Sequence, residues 1–123
     1  MGSERRDALR FADDVTAERD AVAAEFGAAV NMTPKELEEW LDTDESRSVG
    51  QRKDGGEATG HASGRRIVQL MRTKRADLSD DDYAHMTKVV GYVHRHLAQR
   101  PRGDVRDTRW RYSLMNWGHD PLK

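Results

Sequence analysis

LSDDDYAHMTKVVGYVHRHLAQRP, residues 78–101, contains the most clearly defined helix of the sequence. Ser79 stands where a helix N-cap is expected, Asp82 occupies the capping-box position, and acidic residues fill the first turn, where the helix dipole favours them. The apolar side chains then recur at steps of three and four residues: Tyr83, Met86, Val90, Val93 and Leu97. Pro101 ends the pattern because proline cannot continue a helix. We therefore predict a central helix over residues 79–100, with this stripe in the core.

Residues 1–31 are predicted to form an acidic N-terminal helix. Its apolar residues recur at helical spacing and are Phe11, Val15, Val22, Phe26 and Ala29. A second, short helix begins near Thr33, which can cap it, while Pro34 suits the first helical position and Glu36 completes a capping box. The side chains that this helix is predicted to bury are Leu37, Trp40 and Leu41.

Residues 46–64 have a different composition, with few apolar side chains other than Val49. They contain five glycines, at positions 50, 55, 56, 60 and 64. Such a stretch is typical of a long loop, and long loops are often functional. Ser63 is then predicted to cap a helix that runs from about Gly64 to Lys74. The residues that this helix is predicted to bury are Ile67, Leu70 and Met71.

The last helix is predicted within residues 105–118, with Asp104 or Asp107 as its cap. One face of it carries Trp110, Leu114 and Trp117. No run in the sequence shows the two-residue alternation of a strand. The predicted fold class is therefore all-α, with about five helices in a single small domain. The acidic helix at 1–31 precedes a helical core domain at 32–123, which contains the long glycine-rich loop.

The composition agrees with one ordinary domain and excludes several classes of protein. The chain has 123 residues, of which 36% are hydrophobic and 35% charged, so we expect a small core and a large polar surface. It has no cysteine, which excludes a disulfide scaffold, a thiol nucleophile and a thiolate zinc site. No run approaches the ~18 apolar residues of a membrane helix and no signal segment opens the chain, so we expect no membrane partner and a cytoplasmic location.

The net charge of −1 conceals a strong segregation of charge along the chain. Residues 1–45 hold 13 acidic and 5 basic residues, whereas residues 46–76 hold 2 acidic and 8 basic ones. Residues 77–82 hold 4 acidic residues, and residues 83–123 hold 3 acidic and 8 basic ones. Two basic blocks that converge in space would form a surface for an anionic partner. The alternative is a set of solvated helix faces of alternating sign.

The predicted helix start after the glycine-rich loop is a candidate anion site, because free backbone N–H groups and the dipole attract phosphate there. Farther along this helix, Arg65, Gln69 and Arg72 share the face opposite the buried residues, and these residue types suit phosphates or base edges. The candidate nucleic-acid-binding residues are Arg52, Lys53, Ser63, Gly64, Arg65, Arg66, Gln69 and Arg72. The alternative is a solvent-facing stripe without a ligand.

A secondary candidate surface lies in the final helix. There Arg109, Arg111 and Tyr112 combine two cations with an aromatic ring, a combination that suits stacking and phosphate contact. The alternative is a terminal helix docked by its tryptophans, with the arginine stems packed over the core.

The five histidines form no recognisable metal or catalytic motif. His94 and His96 are two residues apart on a helix, so their imidazoles point to opposite sides. His94 lies at the edge of the apolar stripe, where we expect a hydrogen-bonded histidine of the core edge. No HExxH, P-loop or nucleophile elbow is present, so we expect no catalytic residue, no metal and no cofactor. The enzymatic alternative is a site built from His61, His94, His96 and His119.

Two resemblances rest on particular motifs. Residues 32–37 (MTPKEL) and 63–70 (SGRRIVQL), within residues 32–75, resemble the SAP-type helix–extended-loop–helix module, with a longer connection here. Residues 26–123 resemble a family of small uncharacterised proteins that are often catalogued as DNA-binding. The segments that carry this second resemblance are DESRSVG (44–50), DGG (54–56), GHASGR (60–65), DYAHM (82–86), HRHLAQRP (94–101) and TRWRYSLMNWGHDPLK (108–123). The resemblances imply DNA binding, with the second SAP helix starting near phosphates, and no catalytic residues.

The sequence therefore predicts a non-enzymatic protein that binds duplex DNA mainly through its phosphates, with low sequence specificity. The alternative from another class is a protein-interaction or assembly module. In that alternative the acidic N-terminal helix pairs with another protein or with a second copy of the chain, through Phe11, Val15, Val22 and Phe26.

Overall fold

The computed structural model describes the backbone of residues 3–49 and 59–123, and the side chains of residues 15–49 and 59–123. Within these residues the chain forms six α-helices and one 3-10 turn, and no strand. The helices are α1 (Ser3–Ala29), α2 (Pro34–Leu41), α3 (Asp44–Ser48), α4 (Thr59–Arg72), α5 (Asp80–Leu97) and α6 (Arg109–Asn116), and the 3-10 turn spans Arg75–Asp77. The predicted all-α fold class is confirmed.

Both capping boxes predicted from the sequence are present. Thr33 Oγ1 accepts a hydrogen bond from the backbone N–H of Glu36 (3.1 Å), and the Glu36 carboxylate accepts one from the backbone N–H of Thr33 (3.0 Å). Ser79 and Asp82 exchange the equivalent bonds at 3.1 and 2.9 Å. These bonds satisfy N–H groups that have no partner inside the helix, so the local sequence fixes where α2 and α5 begin.

The prediction of an extended loop over residues 46–64 is wrong at the start of this range. Residues up to Ser48 belong to α3, whose N-cap Thr43 accepts a hydrogen bond from the backbone N–H of Ser46 (3.2 Å). This helix was missed because its five residues include no apolar side chain, so hydrophobic spacing gives no signal; the residue that it buries is Ser46. Residues 50–58, the middle of the predicted loop, lie outside the described residues.

The loop prediction is also wrong at its end, because α4 begins at Thr59. Ser63 and Gly64 therefore lie in the second turn of the helix, and Ser63 is not its cap. The glycines of this helix allow close packing instead of forming a loop. Gly60 and Gly64 both pack against the C-terminal end of α6.

The start of α6 is set by Thr108, not by Asp104 or Asp107 as predicted. Thr108 Oγ1 accepts a hydrogen bond from the backbone N–H of Arg111 (3.2 Å). Asp104 instead accepts one from the backbone N–H of Arg106 (2.9 Å), in the turn that precedes the helix. All three side chains have the chemistry of an N-cap, so the residue types alone do not distinguish them.

α6 lies at the centre of the fold, in contact with α2, α3, α4 and α5, whereas α1 packs mainly against α5. The predicted apolar face of α6 is confirmed, since its three residues are buried: Trp110, Leu114 and Trp117. The stripe of α5 is buried at Met86, Val90 and Val93. It is wider than predicted, because Val89 is completely buried as well. A helix that packs on two neighbours buries a broader face than one that packs on a single neighbour.

Part of the apolar stripe of α1 is buried against the rest of this chain. Phe26 is 7% exposed, and Val22 packs against the core, while Val15 is half-buried. The side chain of Phe11 lies outside the described residues. The end of the stripe nearest α2 therefore stabilises this fold, which leaves less of it for pairing with another helix.

We expect Gly64→Ala to destabilise the fold. A Cβ atom at this position would lie 2.5 Å from the backbone oxygen of Asn116 and 2.7 Å from Leu41 Cδ2. A backbone oxygen cannot rotate aside as a flexible side chain can, so the free energy of unfolding should fall by about 1–3 kcal/mol. Chemical denaturation followed by circular dichroism measures this change.

Gly27→Ala is the matched control, since Gly27 lies in α1 and an added Cβ atom there meets nothing within 4 Å. Alanine should stabilise this helix by roughly 0.5–1 kcal/mol, because glycine loses more backbone entropy on folding. Equal effects at the two positions would contradict the close approach of α4 to α6.

Candidate functional site

The exposed face of α4 carries Arg65, Gln69 and Arg72, on the side opposite the buried Ile67 and Leu70. These residues line an open groove of about 760 Å³ between α2 and α4. The groove also contains apolar side chains, from Leu41 and Val68, and two acidic ones, from Glu38 and Asp42. It combines apolar surface with charges of both signs.

Carboxylates already neutralise much of the positive charge along α4. Arg72 forms a two-pronged ion pair with Glu38 of α2, with one of its contacts at 3.0 Å. Arg66 lies 3.5 Å from the Asp82 carboxylate and donates a hydrogen bond to the carbonyl of Asp81 (3.2 Å). A phosphate that binds Arg66 or Arg72 must therefore compete with a carboxylate, which reduces the net gain of the contact.

Ser63 and Gly64 face the interior of the protein. Ser63 is 5% exposed, and its Oγ lies 3.0 Å from His85 Nε2. Gly64 is buried and packs against α6. Arg52 and Lys53 lie outside the described residues. The predicted helix start at Gly64 is thus replaced by one at Thr59. Of the predicted residues that the structure describes, those on the outer face of α4 remain at the surface.

A stronger concentration of exposed cations lies between the end of α5 and the first residue of α6. We call residues 100–109 the arginine segment, after its four arginines: Arg100, Arg102, Arg106 and Arg109. All four are exposed, and none pairs with a carboxylate of the described residues. The segment contains two acidic residues, so its net charge is about +2.

Two arginine side chains of the arginine segment contact the rest of the fold. The Arg100 guanidinium lies over the Trp110 ring, 5.6 Å from its centroid, and Arg109 donates a hydrogen bond to the carbonyl of Ser48 (3.2 Å). Neither contact neutralises charge, so these guanidinium groups keep their full attraction for an anion. Of the candidate binding residues predicted from the sequence, only Arg109 belongs to this segment. The sequence signal for Arg100, Arg102 and Arg106 was the basic block over residues 83–123.

The other two residues of the secondary surface dock α6 onto its neighbours. Arg111 pairs with Asp120 (3.1 Å), with both side chains below a fifth exposed. Tyr112 is half-buried and lies against Trp40, with ring centroids 5.5 Å apart. Their contacts match the alternative of a docked terminal helix.

Three of the histidines bind helix ends. Each donates a hydrogen bond to a backbone carbonyl: His61 to Leu41 (2.6 Å), His96 to Trp110 (3.0 Å) and His119 to Ala29 (2.7 Å). His94 is exposed, so its prediction as a histidine of the core edge is wrong; His96 occupies that role. The part of the chain that the structure describes contains no group of three or more candidate metal ligands.

A ladder of stacked rings, which spacing alone did not reveal, joins α5 to α6. Its successive members are His85, Trp117, Tyr92, His96 and Trp110, with ring centroids 6.4, 4.2, 5.3 and 5.8 Å apart. Burial lowers the pKa of His85, and the nearby cations Arg66 and Lys88 lower it further, against an opposing effect of Asp82. The first ring of the ladder is therefore held in its neutral form.

We expect the protein to lose stability as the pH falls from 7.5 to 5.5. Because the pKa of His85 is lower in the folded than in the unfolded state, the unfolded state binds more protons as the pH falls through the ordinary histidine range. The stabilisation is thus present above about pH 6.5 and is lost below it. Chemical denaturation at the two pH values measures the loss.

His85→Gln should reduce this pH dependence, whereas His94→Gln, at an exposed position on the same helix, should retain it. If the stability of the His85 variant depended on pH as strongly as that of the unmodified protein, His85 would not be the source of the pH dependence.

The chain belongs to the family described as "Protein of unknown function (DUF3140)", whose model matches residues 25–115. This range runs from the end of α1 into the last turn of α6 and includes the arginine segment. The match confirms the resemblance to a small uncharacterised family. No curated protein and no solved structure matches the chain significantly. Among the described residues, no helix is both long and apolar enough to cross a membrane.

Proposed function

We propose that this protein binds duplex DNA without catalysis, through phosphate contacts of low sequence specificity. The observation that carries the proposal is the arginine segment, with four exposed guanidinium groups that have no carboxylate partner among the described residues. Arginine suits this role because its planar fork donates two parallel hydrogen bonds to phosphate oxygens and stays charged at any physiological pH. A cytoplasmic location, expected from the sequence, is part of the proposal.

Low sequence specificity follows from the position of these arginines in a segment between two helices. Base readout in the major groove needs a helix or ribbon that presents several side chains to base edges. The arginine segment precedes α6, whose opposite faces are occupied by the core and by the contacts of Arg111 and Tyr112. Contacts from such a segment position a protein on the duplex but carry no sequence information.

The outer face of α4 is a weaker, second contact surface in this proposal. Arg72 can bind a phosphate only if its ion pair with Glu38 breaks. Gln69 is exposed and suited to phosphate or base contact. The resemblance of α2 and α4 to the SAP-type module, and of residues 26–123 to proteins catalogued as DNA-binding, supports the same function. In the SAP-type module the second helix begins near phosphates. Because α4 begins at Thr59, the corresponding helix end lies at Thr59 and not at Gly64.

We expect weak binding at moderate salt and tighter binding at low salt. Each neutralised phosphate releases counterions, so the logarithm of the association constant should fall with the logarithm of salt concentration with a slope near −0.9 per phosphate, for about three to five phosphates. Fluorescence anisotropy with a labelled duplex at two salt concentrations measures this slope. Absence of binding at ~50 mM salt with micromolar protein would refute the proposal.

Arg102→Ala combined with Arg106→Ala should weaken DNA binding and make the salt slope about two units shallower. Both side chains are exposed and have no ion-pair partner among the described residues, so the fold should be unaffected. The matched control is Lys35→Ala combined with Lys74→Ala, which removes the same charge from two exposed positions on α2 and after α4. Equal weakening in the two variants would show a net-charge effect and would contradict binding through the arginine segment.

A further inference from the structure

A second cavity, of about 400 Å³, lies where the start of α4, the middle of α5 and the end of α6 meet. It is separate from the arginine segment and from the groove between α2 and α4. The side chains that give it its chemistry are Thr59, Lys88, Tyr92, Arg95, Ser113 and Trp117. Its volume is within the range of small-molecule sites, which occupy roughly 300–1,000 Å³.

Among the described residues that line this cavity, the charged side chains are both positive. Lys88 and Arg95 lie on one face of α5, with Tyr92 between them, and neither forms an ion pair with a described residue. The Arg95 guanidinium lies across Gly91, 3.0 Å from where a Cβ atom would be, so the missing side chain gives it room beside the helix. No acidic residue is among the described residues that line the cavity. Within the described part of the chain, the cavity thus presents two cations that have no carboxylate partner.

Trp117 adds a polar group, its indole N–H, to the lining of the cavity. Its residue is 5% exposed and its ring stacks on Tyr92, with centroids 4.2 Å apart. The indole N–H has no acceptor among the described residues, although a buried indole N–H normally has one. In the described part of the chain, every fully buried polar side-chain atom has a hydrogen-bond partner. Because the indole N–H of Trp117 has none there, this N–H is not fully buried and is reachable from the cavity.

The remaining lining groups are neutral. The Asn116 side-chain oxygen accepts hydrogen bonds from Trp40 (2.8 Å) and Ser46 (2.5 Å), so it is already engaged. Burial raises the pKa of Tyr92, which keeps its hydroxyl uncharged at neutral pH. The 14-residue helix α4 begins here as well, and the positive end of its dipole favours an anion.

We propose that this cavity binds a phosphate monoester, with the phosphate between Lys88 and Arg95 and one of its oxygens accepting the indole N–H of Trp117. A bare phosphate ion is much smaller than the cavity, so the organic part of the ester occupies the rest of it. The source is either a free nucleotide or the 5′-phosphate end of a DNA strand. The site does not rest on the proposed duplex binding, because the arginine segment lines no part of this cavity.

Isothermal titration calorimetry with a nucleoside 5′-monophosphate, the same nucleoside without phosphate, and inorganic phosphate tests the site. We expect the monophosphate to bind most tightly, inorganic phosphate more weakly, and the nucleoside not at all. Titration with a short single strand, with and without a 5′-phosphate, then distinguishes the sources. Preference for the mononucleotide indicates a free ligand, and preference for the phosphorylated strand indicates a DNA end. Absence of binding by every phosphate ester up to about 5 mM would overturn the proposal.

Lys88→Ala combined with Arg95→Ala should lower the affinity for the monophosphate by about a hundredfold, since each charge-assisted hydrogen bond contributes at least about tenfold. Lys35→Ala combined with Lys74→Ala, which removes equal charge elsewhere on the surface, should leave it unchanged. Trp117→Phe, which keeps a ring and removes only the N–H donor, should weaken binding about tenfold. Equal affinities in the two double variants would overturn the proposal even if the Trp117 variant failed to fold.

Discussion

The fold depends on the side-chain amide of Asn116, which is 1% exposed and lies among four helices. Its oxygen accepts hydrogen bonds from the Trp40 indole of α2 and the Ser46 hydroxyl of α3, and its nitrogen donates to the carbonyl of Ser46 (3.0 Å). Gly60 and Gly64 bring α4 against the same part of α6. A buried amide is costly unless its hydrogen bonds are made, so the arrangement of α2, α3, α4 and α6 is tied to a single geometry.

With α6 fixed at the centre, its two ends determine where the candidate sites lie. The N-terminal end meets α3 and the end of α5, so that Arg109 reaches Ser48 and the arginine segment is displayed at the surface. The C-terminal end places Trp117 beside Tyr92 and beside the start of α4, which forms the second cavity. One short helix therefore separates a surface suited to a polyanion from a cavity suited to a small anion.

The sequence predicts what local interactions determine. The capping boxes at Thr33 and Ser79 and the buried stripes of α5 and α6 involve residues only three or four positions apart, so spacing and residue type are sufficient. The glycines at positions 60 and 64 were misinterpreted because their role is contact with α6, about 50 residues away in the chain. The exposed face of α4 was predicted as well, but its pairing with Glu38 and Asp82 was not, since those pairs depend on the tertiary fold.

The pattern of ion pairs explains why a chain with a net charge of −1 can still present a cationic surface. The acidic first part of the chain supplies partners for the central basic block, as in the pairs of Asp20 with Arg75 and of Glu38 with Arg72. The last basic block has few carboxylates of its own, and among the described residues Asp120 pairs with Arg111 alone. The other arginines of this block have no carboxylate partner in the part of the chain that the structure describes. In the proposed complex with DNA, the acidic helices are repelled by the phosphates, so this division of charge favours an orientation with the arginine segment towards the duplex.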